Sequence, residues 1–133
     1  MKKGLLHHIE IYVSDLKRST EFWKWFLESM GYSEFQKWDA GISFKLGDTY
    51  LVFVQTEEKH LDEPYHRCKT GLNHLAFHAD SRDQIDKMTI ELKARNVSIL
   101  YSNEHPHAGG SKYYAVFFED PDRIKVEVVA PNT

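Results

Sequence analysis

The sequence predicts an α+β fold of two tandem βαβββ modules that form a shared, partly open, barrel-like cavity. Three observations predict it. An alternating strand carrying a histidine and running into a helix start occurs twice, as LHHIEIYVSDLKRSTEFW and as LNHLAFHADSRDQIDKM. In both strands apolar residues take one face and polar residues the other, so each has a side for a helix and a side too polar for a dry core. The chain is 133 residues long and 41% hydrophobic, enough for one compact domain with a real core. We expect a single domain over 1–133, with a first module at 5–56, a linker at 57–70 and a second module at 71–131.

Leu6 to Val13 alternates and reads as the first strand. Ile9, Ile11 and Val13 share the helix side, and His8, Glu10 and Tyr12 share the other. His7 is expected to point away from His8, because a regular strand alternates. Asp15 is a natural N-cap for a helix ending near Ser29, with Leu16, Trp23, Phe26, Leu27 and Met30 on its buried stripe and Gly31 as its stop. Strands follow at 32–38, 41–46 and 49–55, the last two joined by a hairpin-type turn at Gly47-Asp48-Thr49. The polar run from Thr56 to Thr70 is the linker.

The second copy begins with a strand at 72–79, placing Leu75, Phe77 and Ala79 on one side and His74, Ala76 and His78 on the other. Ser81 and Gln84 form a capping-box pattern, and Ile85, Met88, Ile90 and Leu92 supply the next helix's apolar stripe. Strands at 97–101, 112–119 and 124–130 complete the copy. Glu127 lies between Val126 and Val128, on a strand that reads as covered, where an unpaired carboxylate would be costly.

Charge and composition exclude several functions. A net charge of −3 without a basic stripe leaves no footprint for nucleic acid. No apolar run approaches a membrane span, and the histidines after the first two lysines interrupt any signal core. A lone cysteine, Cys68, forbids an internal disulfide and points to a cytoplasmic protein. The eight histidines matter by position. His8 and His74 occupy equivalent places in the two copies, and with Glu127 they supply two imidazoles and a carboxylate, a sufficient ligand set for a catalytic divalent metal. His105 and His107, in a Gly-rich loop, read as solvated.

Four segments taken in order resemble the vicinal oxygen chelate superfamily, which includes glyoxalase I and the fosfomycin-resistance, bleomycin-resistance and extradiol dioxygenase proteins. They are His8 with Val13, Asp15 and Leu16; the helix run STEFW; GLNHLAFHA with His74; and EDPDRIKVEVV with Glu127. The resemblance covers essentially the whole chain. It implies one divalent ion (Zn, Ni, Mn or Fe) held by His8, His74 and Glu127, with Gln55 as a weaker fourth donor. Matching the copies from Asp48 and Asp122 sets Phe53 opposite Glu127. The family's usual glycine in the final turn is Arg123 here, so a different turn is expected.

The resemblance further implies a lyase of lactoylglutathione-lyase type, or an isomerase or ring-opening enzyme, acting on a small oxygen-bearing substrate. Glu10 and Glu127 are its catalytic carboxylates, and Tyr12, His78 and Phe53 contact the substrate. A homodimer is implied as well. The competing readings are a metal-free binding protein of bleomycin-resistance type and an Fe(II) extradiol-type dioxygenase.

Overall fold

A computed structural model of the chain describes residues 2–132. The chain divides between Pro64 and Tyr65 into two compact units, inside the segment expected to be a linker. A short 3₁₀ turn, Glu58–His60, is the regular structure there.

The first unit contains β1 (His8–Val13), α1 (Leu16–Ser29), β2 (Ser33–Trp38), β3 (Gly41–Leu46) and β4 (Thr49–Gln55). Its sheet has the order β1-β4-β3-β2, with β1 parallel to β4 and the other pairs antiparallel. The parallel pairing of β1 and β4 requires a long crossover, which α1 and the β2–β3 hairpin supply. Asp15 caps α1 by accepting from the Arg18 N–H at 3.2 Å. The helix buries Ser19, Phe22, Trp23, Phe26 and Leu27. Trp23 stacks on Phe53 of β4, ring centroids 4.8 Å apart. Leu16 and Met30, expected on the buried stripe, are only half-buried, and Phe22 joins it instead. Gly31 ends the helix with a left-handed φ of +95°.

The second unit contains β5 (Leu75–His78), α2 (Arg82–Ala94), β6 (Ala115–Glu119) and β7 (Lys125–Val129). The order is β5-β7-β6, with β5 parallel and β6 antiparallel to β7. These are the pairings of β1, β4 and β3, so the repeat read in the sequence is a repeat of topology. The strand expected at 97–101 survives as one bridge, between Ile99 and Phe118. Tyr101 takes a left-handed φ of 55°, which ends extended pairing.

Ser81 caps α2 by accepting from the Gln84 N–H, and the Gln84 side chain returns to accept from the Asp80 N–H. Ile85, Met88 and Leu92 are buried, but Ile90 is 68% exposed: it lies two positions from Met88 and from Leu92, on the far side of the helix. Both units are α+β, and neither sheet closes on itself.

Candidate functional site

The second unit assembles a polar site on the sheet face away from α2. Register sets it up. Ala76 of β5 pairs with Glu127 of β7, and Glu127 pairs on its other side with Phe117 of β6. His74 immediately precedes β5, and its imidazole reaches Glu127. Its Nε2 is 2.9 Å from Glu127 Oε1. The Tyr113 hydroxyl donates to the other oxygen, Oε2. That bond, with burial and the carboxylate's charge, pushes the Tyr113 phenol up to about 12. The Glu127 side chain is 4% exposed, so both of its oxygens are taken out of water and both find a partner.

His74 carries a further constraint. Its Nδ1 lies 2.7 Å from the Asn73 side-chain oxygen, so both ring nitrogens face oxygen acceptors. A neutral imidazole has one N–H and cannot donate to both. Several arrangements satisfy the geometry; with the Asn73 amide turned over, its Nδ2 donates to Nδ1 and the Nε2–H donates to Glu127. Another is a neutral ring that donates from Nδ1 to Asn73 while Nε2 and Glu127 Oε1 share a cation. Two donors at about 2.0–2.2 Å from one ion and roughly at right angles lie about 3 Å from each other, close to the observed separation. The pair therefore fits a divalent metal, with Asn73 orienting the imidazole from behind.

In the first unit, His8 stacks on Tyr50 of β4 with centroids 4.7 Å apart and 3° between planes. Its Nε2 is 4.0 Å from Glu10 Oε1, and both side chains reach solvent. His7 precedes the regular strand, so alternation does not separate the two rings: its Nδ1 is 2.9 Å from that of His8. Tyr12 is exposed on the same strand face. His78 is exposed at the end of β5.

Two expectations for β4 change. His8 pairs with Tyr50 and Glu10 with Val52, whereas Ala76 pairs with Glu127, so the position matching Glu127 is Val52. Matching from the aspartates shifts the register by one, because Asp48 lies four residues before Val52 and Asp122 five before Glu127. A one-residue slip changes the face. Phe53 accordingly lies on the helix side, fully buried against Trp23 and remote from solvent-borne substrate. Gln55 is occupied as well. Its amide oxygen accepts from the Leu16 N–H at 2.8 Å and its amide nitrogen donates to the Ser14 and Thr56 carbonyls. It ties β4 to the start of α1 rather than offering a free donor.

The turn before β7 keeps its tight form without glycine. Arg123 adopts a φ of 67°, and Asp120 Oδ1 accepts from the Asp122 and Ile124 N–H groups. His105 and His107 part company. His105 Nε2 lies 3.4 Å from the Thr89 hydroxyl, and the His107 ring meets Tyr114 edge-on. Among the described residues, no three His, Cys, Asp or Glu side chains form a ready metal cluster. Asn73 and Tyr113 escaped the sequence reading. Asn73, adjacent to His74, was the findable one; Tyr113 is fourteen residues from its partner.

Repeat topology and a buried carboxylate beside an imidazole define an α+β scaffold with a polar site in its second unit. The chain belongs to the glyoxalase/bleomycin resistance protein/dioxygenase superfamily, whose sequence profile matches residues 5–128. It is 59% identical to the uncharacterised protein YqjT of Bacillus subtilis, over 96% of this chain and 99% of that one. A Bacillus halodurans crystal structure, provisionally named a glyoxalase, superposes with a TM-score of 0.96 at 55% identity over 98% of both chains. A glutamate-to-glutamine variant of the fosfomycin-resistance protein FosX from Listeria monocytogenes, complexed with Mn(II) and 1S,2S-dihydroxypropylphosphonic acid, shares the fold. Its TM-score is 0.69 at 22% identity, over 97% of this chain and 90% of that one.

Proposed function

We propose that the protein is a divalent-metal-dependent enzyme of glyoxalase type, with His8, His74 and Glu127 as its metal ligands and a small oxygen-bearing molecule as its substrate. The observation that carries this reading is His74, whose Nε2 lies 2.9 Å from the buried carboxylate of Glu127. The Mn(II) in the FosX complex supports the kind of ion.

The chain's own residues have separable tasks. Glu127 supplies one oxygen and a full negative charge in a place shielded from water. His74 supplies Nε2, with its ring fixed by Asn73. His8 supplies a second imidazole, held flat by Tyr50. Glu10, solvent-reachable and near His8, is the group that exchanges a proton with substrate. Tyr12 and His78 contact the substrate from the polar faces of β1 and β5. A bound divalent ion supplies Lewis-acid stabilisation of charge developing on substrate oxygens. A homodimer is part of this reading and is checked by sedimentation.

The test is calorimetric titration of chelator-stripped protein with Mn(II), Zn(II), Ni(II) and Fe(II). Stoichiometric binding is expected, with a loss of at least about 100-fold in His74→Ala. Absence of binding in the wild type, or unchanged binding in the variant, defeats the proposal. Ligand binding that survives chelator would then favour a metal-free binding protein.

A further inference from the structure

The two oxygens of Glu127 have different partners. Oε1 faces His74, while Oε2 receives the Tyr113 hydroxyl. Tyr113 lies outside β6, in the segment that follows the loop at His105 to Gly110. That loop is tied to the strand entrance: the Ala115 N–H donates to the Pro106 carbonyl at 3.0 Å and the Tyr113 N–H to the Gly110 carbonyl at 3.1 Å. The Tyr113 ring lies against Gly109. A Cβ at Gly109 would overlap that ring, and Gly109 has no left-handed φ, so space and not backbone conformation calls for glycine there. The Gly-rich loop thus has an occupant, the ring whose hydroxyl reaches Glu127.

We propose that Tyr113 is a positioning residue that confines Glu127 to one-oxygen donation, and that Gly109 is the seat that lets its ring do so. The proposal rests on the metal reading above. A carboxylate free at both oxygens can rotate, or can offer both to an ion. With Oε2 held by a hydroxyl, its plane is fixed and Oε1 alone is presented beside His74 Nε2. This restricts the number of protein donors and keeps coordination positions for substrate. Tyr113 acts through Glu127 and touches no reacting atom.

The experiment uses the full chain in four forms: wild type, Tyr113→Phe, Gly109→Ala and the double variant. Mn(II) affinity is read by calorimetry and ligand geometry by the visible absorption of the Co(II)-loaded proteins. Tyr113→Phe keeps the ring and its packing, so it folds as a control for shape. Loss of an outer partner of a metal ligand typically costs about 10–100-fold in affinity, and that loss is expected in each single variant. Co(II) bands of Tyr113→Phe should shift as Oε2 becomes free to join the shell, a signature that a merely structural role would not produce. The double variant should bind no more weakly than Tyr113→Phe, because Gly109 acts only through the hydroxyl. Should wild type bind while Tyr113→Phe matches it in affinity and spectrum, the inference falls and the metal reading stands. If wild type binds neither ion, both fall. Additive losses in the double variant remove Gly109 from the proposal.

Discussion

Val52 and Glu127 occupy matching positions in the two units and are equally buried, each at 3% exposure, yet one is apolar and the other a carboxylate. The surroundings explain the difference. Glu127 has His74 and Tyr113 on its two oxygens. In the first unit, Val52 pairs with Ser43 where Glu127 pairs with Phe117, and the residue four before Ser43 is Asp39 where Tyr113 precedes Phe117. A donor in one unit is an acid in the other. His8 meanwhile stacks on Tyr50 and stays open to solvent. One scaffold therefore carries a carboxylate only where donors arrive with it, because an unpartnered buried charge is more costly than a lost apolar contact.

The cores differ in the same way. The first unit fully buries Trp23, Phe26, Phe44 and Phe53, while the second relies on Ile85, Leu92 and three valines around Phe118. The largest expected effect is therefore in the first unit. Trp23→Ala removes the ring that stacks on Phe53 and should cost about 3–5 kcal/mol by urea denaturation. A loss below about 1 kcal/mol would show that the aromatic cluster is not what holds α1 to its sheet.

Val52→Glu copies the second unit's carboxylate into the first without its donors. It should destabilise the chain by about 3 kcal/mol or more, the order seen when a buried charge is left without its partner. A variant as stable as wild type would mean that the first unit supplies partners of its own, and the contrast between the units would collapse.

The smallest effect concerns His105. Burial, followed by repulsion from Lys93, lowers its imidazole below the ordinary histidine value of 6.5. The unfolded chain then takes up the proton more readily than the folded one. His105's contribution is complete above pH 6.5 and is lost as the pH falls below that value. Melting temperature should drop more between about pH 7 and pH 5 in wild type than in His105→Gln; parallel drops would remove His105 as the cause.

Much of this was legible in the chain. Both helix caps were readable because Asp15 and the Ser81–Gln84 pair satisfy local backbone donors, a contact needing no distant partner. β3 and β4 keep their expected bounds for a similar reason, since a two-residue turn joins strands with clear alternation. The strand expected at 97–101 failed because its apolar alternation was outweighed by a left-handed residue at Tyr101 and a single bridge to Phe118.

What the sequence determined by itself is periodicity and local hydrogen bonding: two repeats, two capped helices, and a glutamate set among valines on a covered strand. Register was left to the tertiary structure. Pairing β1 with β4 and β5 with β7 decided that Val52, not Phe53, answers Glu127. It also set Gln55 at the start of α1 and brought Tyr113 onto Glu127 across fourteen residues. Strand pairing depends on turn length and on long-range packing, and a shift of one residue reverses every side chain, so no local pattern fixes it.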